Sequence, residues 1–176
     1  MAEPNLTLLD DGTHRQLRSL ASALLRRRGG SFRARATSLV HEAYLRLARP
    51  GRAGARDHGH FLSMASRAMR FVLVDRARRQ TALRRSAGER APLPVEELAL
   101  REAANGDLIV AIHGALERLS QIDGRLARVV ELRFFGGLEL HEVATATGVS
   151  LATAKRDWVL ARAWLRREVA QQEEGR

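Results

Sequence analysis

Leu138-Glu139-Leu140-His141-Glu142-Val143-Ala144-Thr145-Ala146-Thr147-Gly148-Val149-Ser150, continued by Leu151 to Arg167, is the stretch whose reading decides the fold. It predicts a short helix, a tight turn at Gly148 and a long second helix. Val143 and Ala144 supply the apolar face of the first helix. Gly148 has no Cβ, so it can take the positive φ that lets the chain reverse. Ser150 is suited to cap the second helix, because its hydroxyl can accept from an otherwise unpaired N–H of the first turn. Leu151, Ala154, Trp158, Ala161 and Leu165 follow at steps of three and four and predict one buried stripe. Thr153, Lys155, Arg156 and Arg162 fall on the other face. Small residues at 144, 148 and 154 allow two helices to cross closely, as a helix-turn-helix requires.

Working outward, no stretch of the chain shows strand-like alternation of any length, so the fold class expected is all-α. The 176 residues carry 30 Lys+Arg against 20 Asp+Glu, a net charge of +10. Lys155 is the only lysine, and the remaining basic residues are arginines, whose planar donor fork suits phosphates and guanine edges. A basic excess of this kind points to a polyanionic partner, most simply nucleic acid. The charge is uneven: residues 1–85 hold 18 basic and 6 acidic side chains, residues 86–111 hold 2 and 5, and residues 112–176 hold 10 and 9. Two modules with different tasks fit that distribution, an N-terminal one over 1–85 and a C-terminal one over 107–172, joined by a flexible linker over 86–106. Pro92, Pro94 and the reversal of charge mark the linker. No run approaches a membrane span, and no basic-then-apolar leader opens the chain. With no cysteine there is neither a disulfide nor a thiolate metal site, which is compatible with a cytoplasmic protein.

In the N-terminal module, helices are expected at about 13–28, from Thr37 or Ser38 to about Ala48, and over about 58–84. Leu39, Val40, Ala43, Tyr44 and Leu47 form the buried stripe of the second. Phe61, Ala65, Ala68 and Val72, with Leu62, Met69 and Leu73 beside them, form that of the third. Residues 49–60 make a Gly/Arg/His-rich loop that includes Arg56 and His60. The later part of the third helix carries Arg67, Arg70, Arg76, Arg78, Arg79, Arg84 and Arg85, read as a nucleic-acid surface. A short helix is expected around 95–103, then helices at about 107–119 and 123–134.

These residues resemble a known family. The strings Leu116 to Asp123, Val130 to Gly137, Glu142-Val-Ala, Gly148-Val-Ser, Thr153 to Trp158 and Ala161 to Leu165 look like the promoter-reading C-terminal domain of bacterial sigma factors. Leu39 to Leu47 and Met69 to Arg79 resemble the N-terminal domain of the two-domain, extracytoplasmic-function group. The resemblance implies a subunit that binds core RNA polymerase and directs it to promoter DNA. It implies docking of His41, Glu42, Leu45 and Arg46 on the clamp helices of the largest polymerase subunit, and of the C-terminal domain on the flap of the other large subunit. Arg56, His60, Arg67, Arg70, Phe71, Arg78 and Arg79 would meet the minus-ten element. Ala152, Thr153, Lys155, Arg156 and Arg162 would meet the minus-thirty-five element. Phe71 stands where the family usually has Asn, and Asp157 where it often has Arg. A carboxylate at 157 would repel phosphate, so it is expected to pair with a neighbouring Arg or to accept from a cytosine amino group. An anti-sigma factor is a further partner that the resemblance leaves open.

Two other functional classes fit the sequence less well. A stand-alone helix-turn-helix regulator would bind palindromic sites as a dimer, but the charge on residues 1–85 and the lack of a ligand-pocket signature count against it. An enzyme is disfavoured: His41-Glu42 and His141-Glu142 open a zincin motif, yet Leu45 and Thr145 stand where its second His belongs. His58 and His60, two apart, lack the Cys or acidic companions of a metal centre. No cofactor is expected.

Overall fold

The computed structural model describes residues 15–22, 32–48, 57–86 and 106–174, and every regular element among them is helical. Helix α1 spans 15–22, α2 Phe32–Leu47, α3 His58–Ser86, α4 Gly106–Ile122 and α5 Gly124–Val130. A widened π turn, Glu131–Phe135, extends α5. Helices α6, Leu140–Thr147, and α7, Leu151–Glu174, complete the chain. The expected helix at 95–103, linker residues 87–105, and most of the 49–60 loop with Arg56 lie outside the described residues, while α3 takes in Ser86 and α4 takes in Gly106.

Local chemistry accounts for several boundaries. Asp57 Oδ1 accepts from the His60 amide at 2.7 Å and opens α3. The segment 120–123 does not break the chain where expected: α4 runs on to Ile122, and Asp123 then caps α5, accepting from the amides of Arg125 at 2.9 Å and Leu126 at 3.0 Å. The π turn closes through Gly136 N–H to Glu131 C=O at 2.9 Å, a bond five residues long. Glu142 Oε2 accepts from the Glu139 amide at 2.6 Å and starts α6. Gly148 ends it with φ +69°, the left-handed value that only a residue without Cβ adopts at no strain.

The expected stripes of α2 and α3 are buried, apart from Tyr44, which is half-buried. Leu39, Val40, Ala43 and Leu47 face Phe61, Ala65, Ala68, Met69 and Val72 within one apolar cluster. That cluster continues into residues 107–172, taking in Leu108, Ile112, Leu119, Leu132, Phe135, Val143 and Leu165. Helix α3 is the element both halves share, since it packs against α2 and also against α4, α6 and the π turn. This second contact explains two residues that the helical spacing of α3 left outside its stripe. Ser66 is wholly buried and Arg70 is only 5 % exposed, because α4 and the π turn cover that side.

Candidate nucleic-acid interface

Helices α6 and α7 meet at Gly148 in the order helix, turn, helix, and the first turns of α7 lead into solvent. Ser150 caps α7 as expected: its Oγ accepts from the Thr153 amide at 3.1 Å and lies 2.9 Å from Thr153 Oγ1. Ala152, Lys155 and Arg156 are exposed and Thr153 is half-buried. Arg156 Nη2 approaches Thr153 Oγ1 at 3.5 Å, so the guanidinium lies along the same face as the hydroxyl. Arg162, two turns on, is half-buried. A helix end of this kind can offer a lysine, an arginine and a hydroxyl to base edges in a major groove.

The buried side of α7 differs from the expected stripe at two positions. Leu151 is 41 % exposed, because it lies in the first turn beyond the edge of the core. Asp157 is 3 % exposed and takes a place in the stripe between Ala154 and Ala161. Its carboxylate is met by Arg125 of α5, with Nη2 donating to Oδ1 at 3.3 Å and Nε 3.1 Å from Oδ2. Of the two roles expected for Asp157, pairing with a neighbouring arginine is the one the geometry holds. It turns the carboxylate away from the exposed face.

The outer side of α2 carries the second set of expected residues. His41 and Leu45 are exposed, Leu45 by 52 %. Glu42 and Arg46 are half-buried and tied to α3. Arg76 Nη2 donates to Glu42 Oε1 at 2.5 Å, and Arg46 pairs with Asp75. Burial pushes the Glu42 carboxyl up, but the hydrogen bond and charge of Arg76, with Ser38 and Arg79 nearby, outweigh it and hold the pKa below 4.5.

Along α3, Arg67, Arg78 and Arg79 are exposed, and His60 is half-buried. Arg70 does not join them. Its Nη1 donates to Glu117 Oε1 at 2.7 Å and lies 3.4 Å from His113 Nδ1, both on α4. Its Nε lies 3.0 Å from Glu131 Oε1, close enough for charge attraction but not aligned as a hydrogen bond. An arginine only donates, so His113 accepts on Nδ1 and carries its proton on Nε2. Phe71 is half-buried, edge-on to His113 with ring centroids 5.9 Å apart. Burial raises the pKa of Glu131 above 4.5 against the pull of Arg70 and Arg67. Arg70, expected to meet DNA, is held inside in this arrangement by two carboxylates, those of Glu117 and Glu131.

One arginine that sequence reasoning passed over has a comparable reach. Arg128 of α5 donates from Nε to Ser63 Oγ of α3 at 3.0 Å and from Nη2 to the Ala146 carbonyl of α6 at 3.0 Å. Nothing local singles it out, since its partners are 65 and 18 residues away.

Compared with known proteins, the family model described as ECF sigma factor matches residues 8–171, nearly the whole chain. No curated protein and no solved structure matches it.

Proposed function

Because the chain belongs to the ECF sigma factor family, we propose that it binds core RNA polymerase and directs it to start transcription at particular promoters. The observation that carries this reading is the first two turns of α7. They leave Lys155, Arg156 and Ala152 exposed beside Thr153, while Asp157 turns inward to Arg125. In this reading α7 enters the major groove of the minus-thirty-five element, and Lys155 or Arg156 donates to guanine O6 and N7. Arg162 and the amides near Ser150 meet phosphates, which position the protein without specifying sequence.

The other two surfaces follow from α2 and α3. His41 and Leu45, with the α3-tethered Glu42 and Arg46, form the face offered to the polymerase clamp helices. Arg67, Arg78 and Arg79 supply backbone contacts to opening DNA near the minus-ten element. Polymerase carries the chemistry of RNA synthesis. Run-off transcription with core enzyme, this chain and a promoter library tests the reading. Specific products that require the chain are expected. Firm promoter binding without any association with core would refute it.

A further inference from the structure

A cleft of about 310 Å³ lies between the first half of α3 and the facing sides of α4 and α5. That volume stands at the lower end of the ~300–1,000 Å³ found for small-molecule sites. Three arginines line the cleft: Arg67 and Arg70 of α3, and Arg128 of α5. Two carboxylates line it as well, Glu117 and Glu131, and both lie against Arg70, at 2.7 Å and 3.0 Å. One positive charge is left in excess, and Arg67 and Arg128 hold it. Neither of these two forms an ion pair among the described residues. Arg128 is half-buried, and its hydrogen bonds go to neutral acceptors, the Ser63 hydroxyl and the Ala146 carbonyl. A cation taken partly out of water without a counter-ion bears a desolvation cost that an entering anion offsets.

We propose that this cleft is a binding site for a nucleoside monophosphate, its phosphate held by Arg67 and Arg128 and its base laid against an apolar wall of Met64, Leu116 and Ala127. Guanidinium forks match phosphate oxygens in charge and in geometry. The hydroxyls of Ser63 and Ser120, which also line the cleft, add donors for phosphate or ribose. The small volume fits one nucleotide and excludes a folded strand. Arg70 takes no part in holding the ligand, because Glu117 and Glu131 already occupy it. Binding here needs neither polymerase nor promoter, so it stands or falls apart from the sigma-factor reading. Arg67 borders the surface proposed to meet opening DNA, whereas Ser120 belongs to α4 and lies outside that surface. The two positions together separate a nucleotide site from a general affinity of α3 for phosphate.

Calorimetric titration of the full chain with GMP, AMP and inorganic phosphate tests the proposal. One molecule of GMP or AMP per chain is expected to bind saturably, and more tightly than inorganic phosphate. Arg67→Gln should weaken that binding by about tenfold, the loss expected for one charge-assisted hydrogen bond. Ser120→Asp, which adds a carboxylate beside the cleft, should weaken it at least as much. Arg78→Gln removes an exposed arginine of the same helix that does not line the cleft, and should leave the affinity unchanged. All three positions are exposed, and melting curves of the unliganded variants establish that each is folded. Absence of saturable binding by either nucleotide overturns the proposal. So does inorganic phosphate that binds as tightly as the nucleotides, since the apolar wall then holds no base. A loss in Arg78→Gln as large as in Arg67→Gln, or full affinity in Ser120→Asp, overturns it too, because the nucleotide would then sit on the arginine surface and not in the cleft.

Discussion

Arg125 and Asp157 form a two-point pair across α5 and α7, the arginine half in solvent and the carboxylate almost wholly out of it. That asymmetry decides what each substitution does. Arg125→Met leaves a buried carboxylate without its cation and should cost about 1–3 kcal/mol of stability. Asp157→Asn keeps an oxygen to accept from Arg125 and should cost less. Urea unfolding of the two variants orders them. The same Asp157→Asn protein should keep the minus-thirty-five base preference of the parent, because the side chain positions α7 instead of reading bases. A changed preference in a promoter-library selection would return Asp157 to the DNA face.

The exposed residues of α7 should behave differently from one another. Lys155→Ala or Arg156→Ala should lose about 1–3 kcal/mol of promoter binding and relax the preference at one base position. Arg162→Ala should weaken binding to all sequences alike and lower the salt-dependence slope by about one. Titration of labelled duplexes at several salt concentrations separates the two patterns. A uniform loss for all three variants would mean that α7 does not read sequence.

On α2, the two charged residues of the expected polymerase face are anchored to α3 while the apolar one is free. Leu45→Asp places a charge on a surface position, so it should leave thermal stability nearly unchanged and weaken association with core polymerase by about tenfold, a typical cost for one interface anchor. Glu42→Gln should act on stability instead, since it weakens the pair with Arg76 that holds α2 against α3. Co-sedimentation with core, read beside a melting curve, distinguishes them. Equal loss of core binding without any change in melting for both variants would contradict this division.

The stripes of α2 and α3 could be read from spacing because each rests on neighbours three or four residues away. The Ser150 cap and the Gly148 turn were equally accessible, since their partners lie within five residues. Arg70 and Asp157 were harder. Both are charged, and local pattern assigns charged residues to solvent. Arg70 is buried by Glu117 and Glu131, and Asp157 by Arg125, partners between 32 and 61 residues distant. Only the resemblance flagged Asp157, as a departure from the arginine expected there. Nothing in the spacing of α3 showed that a second layer of helices would cover the side of Ser66 and Arg70.

The α3–α4 contact should also respond to acid through His113. Burial is the first cause that holds its pKa below the ordinary 6.5; the adjacent Arg70 charge adds to it, and Glu117 opposes it. A base whose pKa is depressed on folding contributes stability that is present above 6.5 and lost as pH falls through the folded value. Glu131 runs the other way: burial raises its pKa above 4.5, so its ionised form opposes folding and protonation relieves that cost. Glu42, held below 4.5, contributes stability that persists until lower pH. Just below 6.5, then, the His113 contribution should dominate and stability should fall. His113→Gln cannot take up the proton, and its amide can still accept from Arg70. Urea midpoints at about pH 7.5 and about pH 5.5, either side of the histidine value, should therefore differ more in the parent than in His113→Gln. An equal difference in both proteins would place the acid sensitivity in another residue.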